Sequence, residues 1–472
     1  MTQTVPVPLW LLAIIGLFAA VTFASHFLFP SVRWFFRRRM ERVVHRLNQR
    51  LTRPIQPFKL AARHDTIQRL IYDPAVTEAV VEEARRAGIP EDVAFQRARR
   101  YAREIVPSFS ATVYFSIGTR VARWLARALY RVRVGSFQRE VLAPIDPNAT
   151  VIFVMNHRSN MDYLLVTYLV AGSSALSYAV GEWARVWPLS WLIRGMGAYF
   201  IRRRSLGLLY RRVLARYVQM ATAAGVTQAV FPEGGLSLTG RIMPPRLGIL
   251  SYIIEEYRPN GRDVIFVPVA LNYDRVIEDR FLIAADTSGV RRFRPGLWVM
   301  IRTLATHLGL RLTRRFKRLG TATVTFGRPL SLAEYLPRMS GPPTETVAAE
   351  VMDRVAAAVP VLPVPLVARL LLADPGQDRA TLGLAVRAAL EELSAGDVLL
   401  PRRSAAQVTD DALVLLRERG LLREARDGVI DVTPGEEPVL AFYAASIAHH
   451  FKIGESRPGQ VAKIGVDDGQ SP

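Results

Sequence analysis

Val151-Ile152-Phe153-Val154-Met155-Asn156-His157-Arg158-Ser159-Asn160-Met161-Asp162-Tyr163 is a short apolar run, a polar turn and the start of an apolar helix. The run reads as a fully buried strand, and the turn places an imidazole at its end with a carboxylate in the first helical turn. Four residues intervene, so His157 and Asp162 can meet across the turn. The carboxylate would then fix the ring tautomer and support the imidazolium, leaving the other nitrogen to take a hydroxyl proton. No protein nucleophile is needed, because a substrate alcohol can attack directly. A helix-capping Asp beside an incidental His is the plainer reading of the pair alone.

Outward from this stretch the texture is α/β. Candidate strands are Thr150–Met155, Ser177–Val180, Ala198–Arg202, Gln228–Phe231, Val264–Leu271 and Ala322–Phe326, with helices at Tyr163–Ala171, Leu206–Ala224 and Leu247–Tyr257 between them. Gly197-Ala198-Tyr199-Phe200-Ile201-Arg202-Arg203-Arg204 sends arginines straight out of a strand, a pattern suited to phosphate. Phe231-Pro232-Glu233-Gly234-Gly235-Leu236-Ser237-Leu238-Thr239-Gly240-Arg241 is a glycine-rich turn whose backbone donors could cradle an oxyanion or phosphate, with Arg241 and Arg246 adding charge.

The chain is 472 residues long, enough for two or three folded units, and its 50% hydrophobic content excludes overall disorder. Its formal net charge of +21 calls for an anionic partner: nucleic acid, a membrane surface or phosphorylated substrates. The positive charge is almost wholly arginine, since Lys59, Lys317, Lys452 and Lys463 are the only lysines. Cysteine is absent, which removes disulfides, thiolate nucleophiles and Cys-ligated zinc.

Leu9–Phe29 is uncharged and long enough, at about 1.5 Å per residue, to cross a bilayer's hydrocarbon core. Arg33, Arg37, Arg38, Arg39, Arg42 and Arg46 follow it, so the expectation is a single-pass anchor with everything after it in the cytoplasm. Residues 31–140 read as a helical, basic, membrane-proximal region. Gly88-Ile89-Pro90 stops one helix, Glu91 and Asp92 open the next, and the basic amphipathic pattern of Thr112–Arg133 suits either anionic lipid or packing with a solvated basic face. The expected catalytic domain is 141–345. Pro-rich linkers at Gly341-Pro342-Pro343 and Val359–Pro365 set off a C-terminal unit at 360–452, with a helix near Asp410–Arg419, a hairpin through Val429–Val432 and a winged-helix look. A flexible tail fills 453–472.

With these blocks in order, the sequence resembles the glycerophospholipid acyltransferases, particularly the bacterial glycerol-3-phosphate and dihydroxyacetone-phosphate acyltransferase branch. The resemblance is carried by His157–Leu165 with its His-x-x-x-x-Asp block, by Gly197–Arg203, by Phe231–Gly235 with Arg241, Pro245, Arg246 and Gly248, and by Val267-Pro268-Val269. Thr323–Leu330 looks like the family's closing strand, and the likeness runs from about Tyr101 to Phe451. It implies an acyltransferase-type mixed sheet flanked by helices, with an N-terminal transmembrane helix, a helical N-terminal region and a small C-terminal α+β unit.

By the same resemblance His157 is the general base and Asp162 its partner. Arg158, Arg202, Arg203, Glu233, Gly234 and Arg241 would serve the acceptor, and Pro268 would lie near the acyl-donor channel. The implied donor is an acyl thioester on coenzyme A or acyl carrier protein, the implied acceptor glycerol 3-phosphate, and no metal or cofactor is called for. The branch usually has arginines where Leu236 and Leu238 stand here, which makes lysophosphatidate the second acceptor candidate. The remaining expectations are a lipid bilayer partner, the cell inner membrane as location and no nucleic acid. A basic nucleic-acid-binding protein and an inactive membrane scaffold are the readings from other classes. The anchor counts against the first, and intact His157 and Asp162 against the second.

Overall fold

The computed structural model describes residues 8, 10–18, 38–39, 41–135, 138–181, 189–202, 207–289, 309, 318–396 and 398–451. They fall into two compact units, one formed by the first 55 residues with Gly172–Ser174, the other by Gln56–Ala171 and Ala175 onward. In the first unit residues 10–18 are helical and expose Trp10, Leu12, Ile14, Ile15, Leu17 and Phe18. Most of the expected anchor Leu9–Phe29 lies outside the described residues. Among the described residues no helix is long and apolar enough to cross a membrane.

The second unit is built on a mixed sheet of β1 (Arg131–Val134), β2 (Thr150–Met155), β3 (Ser177–Gly181), β4 (Tyr199–Ile201), β5 (Gln228–Val230), β6 (Val264–Tyr273), β7 (Thr321–Phe326) and β8 (Leu330–Ser331). The order across it is β1-β7-β6-β2-β5-β3-β4, with β8 on β6. β2 runs parallel to both β5 and β6, whereas β6 pairs antiparallel with β7 and β8. All of β2 and all of β6 are buried, which explains why both read as nearly unbroken apolar runs rather than alternating ones.

β7 leaves β6 after Val269, and β8 rejoins it at Phe266. Pro268 sits in that gap. Proline has no N–H to donate, so the interruption falls where a ladder bond would be missing anyway, and its carbonyl still accepts from Gly327 at 2.9 Å.

Helices Pro74–Ala87 and Glu91–Ile105 pack on Leu208–Ala223. Gly88, in the left-handed region at φ 61°, ends the first of them as expected. The region 31–140, expected to be helical, is not helical throughout, because Arg131–Val134 is the edge strand β1, parallel to β7. Its alternation of Arg and Val is a strand pattern, hidden in sequence behind the amphipathic helix Thr119–Leu129.

The C-terminal elements are helices Pro343–Ala357, Pro363–Ala373, Arg379–Ser394, Ala405–Glu418 and Glu437–Ala444, with a hairpin of β9 (Leu422–Glu424) and β10 (Ile430–Val432). Val359–Pro365 is not a loose linker. Val359, Val361, Leu362 and Val364 are buried, and helix Pro363–Ala373 begins inside the segment. The Asp274 carboxylate, just past β6, accepts the N–H of Thr321 at 2.8 Å and of Val364 at 3.1 Å. Proline here starts a buried helix, where its fixed φ suits the first turn.

Candidate active site

β2 ends by handing its pairing to a side chain. Asn156 Nδ2 donates to the Leu271 carbonyl at 2.9 Å, and the Leu271 N–H donates back to Asn156 Oδ1 at 2.8 Å. The backbone is thereby released into the turn without abandoning its partners on β6. Helix Met161–Val170 begins three residues after Arg158, with Asp162 in its first turn, where a carboxylate suits the positive end of the helix dipole.

The turn closes as the spacing predicted. His157 Nδ1 lies 2.9 Å from Asp162 Oδ2, and that same oxygen accepts the N–H of Arg158 at 2.7 Å and of Ser159 at 3.0 Å. The other oxygen accepts the Tyr273 hydroxyl, a short bond from the end of β6. Four donors converge on one buried carboxylate. Because Asp162 can only accept, Nδ1 carries the proton and Nε2 presents its lone pair. Among the described residues no partner occupies Nε2. The ring is buried between Phe231, with centroids 4.2 Å apart, and the edge of Tyr163 at 5.4 Å.

Glu278 supports the turn from behind. It accepts from Ser159 Oγ at 2.8 Å, from the Asn160 N–H at 3.3 Å and from Asn160 Nδ2 at 3.1 Å. Burial pushes the Glu278 carboxyl up, and the Ser159 and Asn160 donors pull it partly back.

Glu233 turns inward rather than toward open space. Its Oε1 accepts the His157 N–H at 3.0 Å and its Oε2 the Met243 N–H at 3.2 Å, so it braces the His157 backbone against the 240s loop. Burial raises its carboxyl to about 8, while those two N–H groups and the Arg158 charge act in the opposite direction. Gly234 is left-handed at φ 70°, and a Cβ there would press on Arg246 Cδ. Leu236 and Leu238 join Glu233, Met243 and Arg246 around a small cavity of about 100 Å³. Arg241 is exposed, and its carbonyl accepts from Ser237 Oγ at 2.6 Å.

Arg158 is fully buried. Its guanidinium donates to the Gly240 carbonyl and stacks 4.9 Å from the Phe442 ring, with Nε and the second Nη unpartnered. Desolvation lowers its pKa, and the nearby Tyr443, Asp162 and Glu233 offset part of that. Gly240, left-handed at φ 82°, leaves no room for a Cβ, which would collide with the Phe442 carbonyl. The C-terminal helix Glu437–Ala444 thus closes directly over the loops that carry the site.

The remaining expected residues lie elsewhere. β4 is three strands from β2, or about 14 Å at ordinary strand spacing. At its end Arg202 already grips a carboxylate: Nε and Nη2 reach the two Glu104 oxygens at 2.9 and 2.8 Å. The guanidinium also lies 5.2 and 5.5 Å from the rings of Tyr101 and Tyr210, which meet each other edge to face with centroids 5.2 Å apart. The hydrogen bonds to Glu104 are the main reason its pKa is raised. Arg203 lies outside the described residues. Pro268 pairs with Val154, three strand positions, or about 10 Å, below Leu271.

Sequence reasoning gave no site role to Tyr273, Glu278, Asn156, Phe442 or Glu104. The local signals were Asn156 opening the polar turn after β2 and the run of polar residues Asn272, Tyr273 and Asp274 closing an otherwise apolar strand; Phe442 lies in the stretch Leu440–Tyr443, which shares the family likeness.

Residues 136–272 match the acyltransferase family model, and residues 309–453 match the glycerol-3-phosphate acyltransferase C-terminal region. A glycerol-3-phosphate acyltransferase of Pseudomonas syringae pv. tomato is 31% identical over 279 residues, 58% of this chain and 32% of that protein. Another of the same name, from Aeromonas hydrophila subsp. hydrophila, is 32% identical over 282 residues, 59% of this chain and 34% of that protein. The matched stretch thus spans about a third of the length of these curated relatives. Among solved structures, the 1-acyl-sn-glycerophosphate (LPA) acyltransferase of Thermotoga maritima matches with TM-score 0.33 at 19% identity, covering 62% of this chain and 94% of that one.

Proposed function

We propose, on the premise that this chain resembles the glycerol-3-phosphate acyltransferases in both matched regions, that it transfers a fatty acyl group from an acyl thioester to the hydroxyl of glycerol 3-phosphate. The observation that carries this reading is the His157–Asp162 pair, with Nδ1 pinned by a saturated carboxylate and Nε2 left for chemistry.

In the reaction Nε2 takes the proton of the acceptor hydroxyl as its oxygen attacks the thioester carbonyl. Asp162 stabilises the imidazolium that results. The tetrahedral oxyanion collapses, the C–S bond breaks, and the thiolate leaves with the proton held by His157. The products are an ester and a free thiol, and no metal or cofactor takes part. The thiol belongs to coenzyme A or to acyl carrier protein. Backbone N–H groups in the glycine-rich turn after β5 are suited to the oxyanion.

Arg202 and, by resemblance, Arg203 would receive the acceptor phosphate, with Gly234 and Arg241 on the approach and Pro268 toward the donor. Arg158 and Glu233 serve by holding the His157 turn to the 240s loop. A lysophosphatidate acceptor is the second reading, favoured by the apolar Leu236 and Leu238 beside Glu233, which would suit an acyl chain. The expected setting is the inner membrane, with the anchor at Leu9–Phe29 and the catalytic domain cytoplasmic, in phospholipid synthesis.

An acyl-transfer assay with a panel of acceptors decides the matter. Thioester consumption with glycerol 3-phosphate, lost in His157→Ala, supports the first reading. Turnover only with lysophosphatidate selects the second, and no turnover with either overturns both.

A further inference from the structure

β2 ends at Met155, opposite Val269, and the chain leaves the sheet into the His157 turn. β6 runs on from Ala270 to Tyr273, because β7 still pairs with it as far as Ala322. This overhang carries the last side chains of β6 past the end of β2, where the turn lies. Tyr273 is the residue that uses the reach. Its ring is fully buried, and the Tyr130 ring meets it edge to face with centroids 5.4 Å apart. Tyr130 is itself tied down, its hydroxyl donating to the Arg275 carbonyl at 2.9 Å.

The phenol so held donates to Asp162 Oδ1. The two carboxylate oxygens are loaded unequally. Oδ2 takes His157 Nδ1 and the N–H groups of Arg158 and Ser159, whereas among the described residues Oδ1 takes the Tyr273 hydroxyl alone. The three donors on Oδ2 belong to the turn and move with it. Tyr273 comes from the sheet, so it is the donor that fixes the carboxylate relative to the rigid scaffold. It also shares the charge: a donor bound to a carboxylate weakens that carboxylate's pull on a neighbouring imidazolium. Burial, and after it the Asp162 charge, push the Tyr273 phenol well above its ordinary value, so it stays a donor. Filling the core alone would not need the hydroxyl.

We propose that Tyr273 is a positioning residue for the base. Its hydroxyl holds Asp162 in the orientation that meets Nδ1, and takes enough of the carboxylate's charge that His157 releases its second proton readily. The inference adds to the acyl-transfer reading and rests on it for the kinetic arm of its test. Other ionisable groups face the same turn. Tyr163 presents its ring edge to His157, Glu233 holds the His157 N–H, and Glu278 holds Ser159 and Asn160. Arg158 follows the base, with Tyr443 of the C-terminal helix near its charge. All of these remain when the Tyr273 oxygen alone is removed.

Tyr273→Phe keeps the ring against Tyr130 and deletes only the hydroxyl. Rates with acyl thioester and glycerol 3-phosphate are followed across pH. On the plateau kcat should fall about tenfold, the low end of what a charged hydrogen bond is worth, with both KM values kept. The acid limb of kcat/KM should move up by about one pH unit, because Asp162 then holds the imidazolium more tightly. Repeating the comparison in Glu233→Gln removes the carboxyl that titrates at about 8, and the limb should still move. Fluorotyrosine at position 273, a stronger donor of nearly the same shape, should move the limb the other way. That arm keeps the test open if the Phe variant folds poorly. A further readout needs no turnover. In the full chain with isotopically labelled histidine, the Nδ1 proton resonance that His157→Ala abolishes should lie further downfield in Tyr273→Phe.

If the acid limb does not move up, or the Nδ1 proton does not move downfield, the proposal is wrong and Tyr273 serves packing alone. If the wild type consumes no thioester, the acyl-transfer reading fails by itself, and the proton resonance alone decides the role of Tyr273.

Discussion

The turn after β2 and the end of β4 are polar sites at the same end of one sheet, and they are built on opposite terms. At the first, every acceptor of Asp162 is filled, Asn156 and Glu233 hold the backbone on both sides, and the ring of His157 is enclosed by aromatic neighbours. At the second, one arginine about a third exposed is held by one carboxylate beside a pair of tyrosines. A general base must be held within a fraction of an ångström, and over-determined buried hydrogen bonds provide that. If the end of β4 receives the acceptor phosphate, as proposed, it must exchange its partner, and a partly solvent-accessible ion pair, which contributes little to stability, suits that better.

The largest effect expected from this contrast is on turnover. His157→Ala should lower kcat by about 10²–10⁴-fold with a cooperative unfolding transition retained. Near-wild-type turnover in the purified variant would break the comparison at once. Arg202→Ala should instead act on binding, raising KM for the phosphorylated acceptor about 10–150-fold, as a lost charged hydrogen bond requires, and leaving the thioester KM in place. Initial rates with both substrates varied separate the two. If acceptor KM is unmoved, the end of β4 is structural and the phosphate lies elsewhere.

Stability should follow the same division. Gly240→Ala places a methyl group against the Phe442 backbone and strains a left-handed residue, so a loss of about 1–3 kcal/mol or more is expected. Gly88→Ala meets open space and tests the backbone strain alone. Thermal melts of the two variants measure the difference, and equal losses would mean that the C-terminal helix does not press on the site.

Glu233 adds a pH dependence. Its carboxyl ionises near 4.5 when unfolded and near 8 in place, raised by burial. The folded state therefore holds a proton that the unfolded state releases between those values. This group's contribution is fully present below about 4.5 and is lost progressively as pH rises through about 8. Glu233→Gln should flatten that part of the stability profile, read by denaturant unfolding across the window. An unchanged slope would assign the titration to another group.

What could be read from sequence follows the same line between local and distant. β2, the His157 turn and the helix after it were legible because their cause is local: an apolar run, a polar turn and a carboxylate one helical turn on. β1 was not, since Arg131–Val134 becomes a strand only by pairing with Thr321–Val324. Nor were Tyr273 and Phe442, whose place at the site depends on how a strand end and a C-terminal helix come back over it. The buried helix start at Pro363 was hidden for a related reason: proline-rich sequence has the same composition in a linker and in a capped, packed helix.

The smallest effect expected is at Glu104, and it bears on how the β4 site works. Arginine has five N–H donors, and Glu104 engages the edge formed by Nε and Nη2. The other edge can still meet a phosphate, so the acceptor need not expel the carboxylate, although it must approach a like charge. Glu104→Gln removes that charge while keeping one hydrogen bond to the guanidinium. The pair is partly exposed, so stability should change by less than about 1 kcal/mol. Acceptor KM should fall, by no more than about fivefold, because the phosphate no longer faces the carboxylate across a wet gap. A large rise in KM would mean that Glu104 is needed to aim Arg202 rather than merely to neutralise it. In that case the end of β4 is as tightly specified as the turn after β2, and the contrast between them fails.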